Sequence, residues 1–370
     1  KGSKIQKLTE NGVLHSDLKK IFNDYELYKH QDEAIKLGSE GKEFIVTSGT
    51  GSGKSLTYMA TIFSHILNAG KTISNQTQAI IVYPMNALIN SQNEEIKKYE
   101  RNYLKSSLPK GVSYDEQNKV LDEQIKELKE IVGDIFPIKY GQYTGQENEE
   151  TREGMRKNPP HILLTNYMML ELILTRGGKD VEIRNNILEN IKYLVFDELH
   201  TYRGRQGSDV SILIRRIKAN AKYKITCIGT SATMISSETA TISEQKQEVA
   251  KIGSLIFGTD ITENQIVNEF LIRSIGDSIQ IFSESVTSAV TQKIDFTWSF
   301  AEFEKHHTAN WLEENIALEI MEGTLVRRKP LTIHKISELL SEYCKINTEQ
   351  CELHIIDLLE WANLLNSHID

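Results

Sequence analysis

Five short, continuous apolar runs punctuate the first two thirds of the chain: Phe44–Thr47, Ala79–Tyr83, Ile162–Thr165, Tyr193–Phe196 and Ile225–Gly229. Unbroken hydrophobicity, rich in β-branched residues, marks strands covered on both faces. The helical periodicity between the runs then predicts an α/β fold on a parallel sheet. Between the first two runs, Leu56, Met59, Ala60, Phe63, Ile66 and Leu67 share one face of a helix that Gly70 is placed to cap. From 93 to 135 the composition turns to Glu, Lys, Gln and Asp, with Leu121, Ile125 and Leu128 at helical spacing, which reads as a charged helical insertion. Strand signals thin after Ile261, which predicts an N-terminal extension over 1–26, the main α/β domain over 27–260 and a mostly helical accessory or linker region over 261–370. In that last region the pattern predicts helices over Trp311–Met321, Ile333–Tyr343 and Ile355–Leu365, broken at Val326–Pro330. A winged-helix-like unit and a plain helical spacer both fit it.

Charge changes this picture locally. The 370 residues carry a formal net charge of −8, which argues against indiscriminate coating of nucleic acid. Between Thr201 and Lys224 the sign reverses: Arg203, Arg205, Arg215, Arg216, Lys218, Lys222 and Lys224 face Asp209 alone. Val210, Leu213, Ile214 and Ile217 form an apolar stripe in the same stretch, so nucleic-acid contact, interdomain contact and a solvated helix face all stay open. Cys227, Cys344 and Cys351 are too few for a four-cysteine zinc site and suggest no disulfide framework. No apolar stretch approaches the length of a membrane span or a signal-peptide core, so the expectation is a cytoplasmic protein with no membrane partner. The opening Lys-Gly-Ser-Lys, with no Met, reads as a cut end.

The chemistry is concentrated in two short blocks. Thr50, Gly51, Ser52, Gly53, Lys54 and Ser55 form a Gly-rich turn between a predicted strand and a predicted helix, where backbone N–H groups point at phosphate oxygens and the lysine adds a point charge. Ser55 is a candidate ligand for Mg²⁺. Asp197, at the end of the Tyr193–Phe196 run, would complete the metal shell, and Glu198 beside it would orient an attacking water as general base. ATP and Mg²⁺ are the cofactors this pairing asks for, and Lys54, Asp197 and Glu198 its catalytic residues.

Further blocks follow a fixed order: Leu27-Tyr-Lys-His-Gln31, the loop from Ser48, Tyr83-Pro-Met-Asn-Ala-Leu-Ile89, Tyr143-Thr-Gly145, Leu164-Thr-Asn-Tyr-Met-Met-Leu-Glu171, Asp197-Glu-Leu-His200 and Thr230-Ser-Ala-Thr-Met234. In this order they resemble the first RecA-like domain of superfamily 2 helicases of the DEAD/DEAH type, over 20 to 235. The wording is similar to a bacterial subgroup that includes the DISARM phage-defence helicase and the mitomycin-repair helicase. Ser48 departs from the glycine of the strict phosphate-loop pattern, a substitution this superfamily tolerates. The resemblance implies a RecA-like P-loop NTPase domain in which Gln31 contacts adenine, while His200, Ser231 and Thr233 couple ATP to the second domain and to nucleic acid. Asn86, Ala87, Thr165 and Asn166, with Arg203 from the basic run, would hold a nucleic-acid strand. An ordinary surface glutamine, a structural histidine and a Ser/Thr turn are the alternative readings. The implied function is the motor core of an ATP-dependent DNA helicase or translocase in phage defence or repair. It would act on a single strand or a duplex with a single-stranded tail, alongside defence or repair proteins. A nucleotide-gated binding module without processive unwinding is the alternative. No block resembling motifs IV to VI follows Met234, so the expected partner is a second RecA-like domain in a longer protein.

Overall fold

Seven parallel strands lie side by side in the order β3-β4-β2-β5-β6-β1-β7. They are β1 (Phe44–Thr47), β2 (Ala79–Tyr83), β3 (Tyr140–Gln142), β4 (Ile162–Asn166), β5 (Tyr193–Phe196), β6 (Thr226–Ser231) and β7 (Ile266–Asn268). The computed structural model describes residues 2–49, 51–232, 241–271, 273, 275, 280–321 and 323–366. Alternate side chains enter opposite faces of the sheet. Phe44, Val46, Ala79, Ile81, Ile162, Leu164, Val195 and Ile228 join one apolar core, and Ile45, Ile80, Val82, Leu163, Leu194, Phe196 and Cys227 the other. This is the doubly covered α/β sheet that the continuous runs predict. The three-residue edge strands β3 and β7 escape the sequence pattern because a partly covered strand needs no unbroken apolar run.

The chain divides at Glu269 and Phe270 into two units. The predicted boundary at 260/261 moves because β7 pairs with β1, Ile45 opposite Ile266, and so brings 261–269 into the first unit. The N-terminal segment is core rather than extension: Ile5, Leu8, Leu18 and Ile21 are buried in the first apolar cluster, and Phe22 packs edge-on against Tyr99 at 4.8 Å. The expected insertion over 93–135 also shrinks. The helix Asn86–Ser106 runs unbroken and buries Ile89, Ile96, Tyr99 and Tyr103 in that same core, while its charged residues pair outward, as Lys98 does with Glu95. Only the later part is a satellite, with helix Leu121–Val132 packing through Ile125 and Leu128 on Leu104, and Lys129 reaching buried Glu100 at 2.7 Å.

The second unit is mostly helical, as predicted, but the helix expected over Trp311–Met321 ends at Leu312. A π-type turn, Glu313–Ala317, leads into the hairpin β8 (Leu318–Met321) and β9 (Thr324–Arg327), turning at Gly323 with φ 76°. Helices Ser283–Thr291, Ile333–Cys344 and Thr348–Asn366 contribute Val286, Leu340, Cys351 and Ile355 to a core of their own. Among the described residues, no helix is long and apolar enough to cross a membrane.

Candidate functional site

Parallel strands put all their C-terminal ends on one edge of the sheet, and the loops leaving β1, β5 and β6 build the site there. After β1 the chain turns through Gly51 and Gly53, both left-handed at φ 77° and 70°, into helix Lys54–Ala69. A Cβ on Gly53 would stand 2.4 Å from the Gln31 amide nitrogen, so no larger residue fits that turn without moving Gln31. The Lys54 ammonium, buried against its own loop, donates to the Ser48 and Gly49 carbonyls at 3.0 and 3.3 Å and lies 3.8 Å from Glu198 Oε1. Ser48, standing where glycine is usual, shares a 2.6 Å hydrogen bond with the Ser52 hydroxyl and so closes the loop. Thr50 lies outside the described residues.

The loop is braced from behind by residues of helix Lys29–Ser39. Gln31, expected at adenine, is only 1% exposed; its Oε1 accepts from Tyr28 N at 2.9 Å and its Nε2 donates to the Gly53 carbonyl at 3.0 Å. Each end of the amide holds one partner, so in this structure Gln31 fixes the loop from behind. His30, which the sequence reading passed over, sits 3.1 Å from the Ser52 carbonyl through Nε2, and burial lowers its pKa. Tyr28 stacks on the His30 ring at 5.7 Å and is 53% exposed, which leaves an aromatic face beside the loop. From the other side Gly49 N donates to Glu269 Oε2 at 3.1 Å, and Glu269 N donates to the Thr47 carbonyl at 3.0 Å.

Asp197 and Glu198 leave β5 side by side. Asp197 is nine-tenths buried, and the loss of water pushes its carboxyl up to about 6, opposed by the hydrogen bond from Thr230 Oγ1. That hydroxyl also accepts from Glu198 N at 3.2 Å. Thr230 therefore locks both acidic residues, and the sequence reading missed it by taking its neighbours Ser231 and Thr233 instead. Glu198 has a left-handed backbone, φ 54°, a conformation non-glycine residues avoid unless the surroundings enforce it. Here Thr201 enforces it, donating to the Glu198 carbonyl from both N (2.9 Å) and Oγ1 (2.8 Å). His200 Nδ1 stands 3.2 Å from Glu198 Oε2 and 3.3 Å from Ser231 Oγ, bringing two of the expected coupling residues into one contact chain. Thr233 lies outside the described residues.

The strand-holding candidates separate. Asn166 caps helix Tyr167–Thr175 by accepting from Met169 N at 2.9 Å and donates to Asn86 Oδ1 at 2.9 Å, so these two form one polar edge with Ala87 exposed beside them. Thr165 is fully buried and donates to the Tyr143 carbonyl at 2.7 Å, which removes it from any solvent-facing contact. Strand alternation turns it inward where its neighbour Asn166 turns out. Arg203 is exposed just ahead of helix Gly204–Asn220, on the Glu198 side of the sheet.

The family model of the DEAD/DEAH box helicases matches residues 28–133 and 118–242. Over 199 residues the chain is 30% identical to the Bacillus subtilis (strain 168) protein called uncharacterized ATP-dependent helicase YprA, covering 54% of this chain and 21% of that protein. It is 24% identical over 411 residues to the Druantia protein DruE of Escherichia coli (strain UMEA 4076-1), covering 81% and 22%. The chain thus spans about a fifth of the length of these curated relatives. Among solved structures, the Mycobacterium smegmatis helicase Lhr bound to ssDNA and AMP-PNP superposes with a TM-score of 0.51 at 17% identity, covering 90% of this chain and 36% of that one. The DUF1998 helicase MrfA bound to DNA gives 0.50 at 23% identity, covering 70% and 28%. These likenesses establish the RecA-like fold.

Proposed function

The chain belongs to the DEAD/DEAH box helicase family, and from that premise we propose that its first unit is the ATP-binding wall of a helicase or translocase motor that hydrolyses ATP while holding a DNA strand. The observation that carries this reading is the convergence of a buried lysine on a phosphate-loop turn, at 3.8 Å from Glu198, with a pair of acidic residues locked by Thr230. Lys54 and the loop amides bind and orient the β- and γ-phosphates. Glu198, held rigid by its enforced backbone, takes a proton from the attacking water. Tyr28, exposed beside the loop, takes over the adenine contact expected of Gln31.

The donor set suits Mg²⁺, a hard cation that takes carboxylate and hydroxyl oxygens. Asp197 is a carboxylate whose burial disfavours its own charge, and a divalent ion restores what desolvation removes. Asp197 and Ser55 would hold the ion, which would neutralise charge on the phosphates. His200 and Ser231 link the acidic pair to the Thr230-Ser-Ala block, and Asn86, Ala87, Asn166 and Arg203 meet the strand. The proposal extends to a role in phage defence, with repair as the alternative setting. The second unit, with its hairpin and helix pair, is proposed as a winged-helix-like accessory. The test is phosphate release by the chain joined to a second RecA-like domain, with and without oligo(dT). Stimulation that Glu198→Gln abolishes supports a motor. Nucleotide-dependent strand binding without stimulated release would identify a gated binding module instead.

A further inference from the structure

The cations between Arg203 and Lys224 disperse in three dimensions. Lys218 pairs with buried Glu43 at 2.7 Å, and Arg215 donates to the Leu255 carbonyl at 2.9 Å. Arg203 and Arg205 stand at the start of helix Gly204–Asn220, on the Glu198 side. What remains lies at the other end of that helix. Arg216 and Asn220 from its last turns, with Arg184, Asn185 and Leu188 of helix Val181–Asn190, line a pocket of about 300 Å³.

The pocket is polar and its positive charge is barely balanced. Arg184 is half-buried, yet among the described residues no hydrogen-bond acceptor or carboxylate lies within reach of its guanidinium; Arg216 meets only Glu171, at 3.9 Å. Glu182 and Glu189 on the same helix point outward to solvent. Two guanidiniums sharing a wall repel each other unless an anion sits between them, and their planar donor forks match phosphoryl oxygens. An exposed ring is tethered to the pocket's Leu188 through the backbone. The Leu188 carbonyl accepts from Lys222 N at 2.8 Å, and the next residue, Tyr223, is 45% exposed with Lys192 Nζ 3.5 Å and Lys222 Nζ 5.4 Å from its ring centroid. Basic side chains interleaved with an exposed ring are how proteins hold a single strand without reading its sequence.

We propose that the pocket and Tyr223 form a second contact for a single-stranded polynucleotide, with a backbone phosphate between Arg184 and Arg216 and a base against Tyr223. Lys192 immediately precedes β5 and Tyr223 lies just before β6, so this contact occupies the edge of the parallel sheet opposite the ATP site. It shares with the proposed function only the premise that the chain meets nucleic acid. A strand held here and at the Asn86–Asn166 edge would run along the outer helix layer of the unit, not only across its ATP-site end.

Anisotropy of a fluorescein-labelled 20-residue oligo(dT), titrated with the 370-residue chain across a salt series, tests it. Arg184→Ala with Arg216→Ala should lower the steepness of log K against log salt by about 0.7, the share of the one phosphate that the pair neutralises on a single strand. Tyr223→Ala should weaken binding about 5-fold or more. Binding of a fluorescent ATP analogue should be unchanged in all three substitutions, which shows that the unit is folded. An unaltered slope and affinity in the double variant overturns the proposal, as does failure of the parent chain to bind the strand. If Asn86→Ala weakens binding while the Arg184/Arg216 double variant and Tyr223→Ala bind as the parent does, this second contact is overturned and the proposed function stands. If inorganic phosphate at matched ionic strength displaces the strand from the parent but not from the double variant, and strand length has no effect, the pocket is a free-anion site and the strand reading is overturned.

Discussion

Asp197 is charged in a place that disfavours charge, and this sets a pH signature. Its folded value of about 6 lies above the ordinary 3.8, so the folded chain holds the proton more tightly than the unfolded chain does. The resulting stabilisation is complete below the ordinary value and is lost as pH rises through about 6. At about 1.4 kcal/mol per pH unit between the two values, Asp197→Asn should stabilise the metal-free first unit at pH 8 by up to roughly 3 kcal/mol and give no gain at pH 3.5. Urea unfolding at the two pH values measures this. Lys54→Ala removes the loop's cation, and calorimetry should show weakened ATP binding. Glu198→Gln keeps the shape of the acidic pair but not its basicity. ATP binding should survive it, while phosphate release with the second domain present falls about 10²-fold or more.

Among the elements, the Asn86–Ser106 helix separates what pattern reveals from what it hides. Replacing 107–135 by a short Gly/Ser linker should leave a cooperative thermal transition and intact ATP binding, because that segment contributes only the satellite around Leu104, Ile125 and Leu128. Extending the deletion back to Asn93 would remove Ile96, Tyr99 and Tyr103 and should abolish the transition. Tyr99→Ala alone, losing edge contacts to Phe22 and Phe63, should cost about 3–5 kcal/mol in urea denaturation. The five central strands were legible because burial on both faces leaves no polar position to confuse the pattern. Lys54, Asp197 and Glu198 were legible because their chemistry is written in adjacent residues. The buried stripe of Asn86–Ser106 was not, since Glu94, Glu95, Lys97, Lys98 and Lys105 are interleaved with its apolar residues and Gln92 and Glu100 are buried among them. Nor were the burial of Thr165, the brace made by Gln31 or the lock made by Thr230, each decided by a partner strand or loop distant in sequence.

For the whole molecule, the family resemblance places ATP in a cleft between two RecA-like domains, and the described residues supply one wall of it. This chain by itself should therefore bind ATP weakly, release phosphate slowly and separate no strands. Supplying a second RecA-like domain should raise phosphate release by about 10³- to 10⁵-fold, the scale an arginine finger contributes in related phosphoryl transfer. Comparable release from the chain alone, in the same coupled assay, would show that the first wall suffices. Glu269, the last residue of the first unit, grips the phosphate loop through Gly49 and β1 through Thr47. In mechanical language it is a cleat: tension on the chain beyond Phe270 is shared at one residue between the phosphate loop at Gly49 and the sheet at Thr47, so a pull at that exit reaches the loop as directly as it reaches the strands.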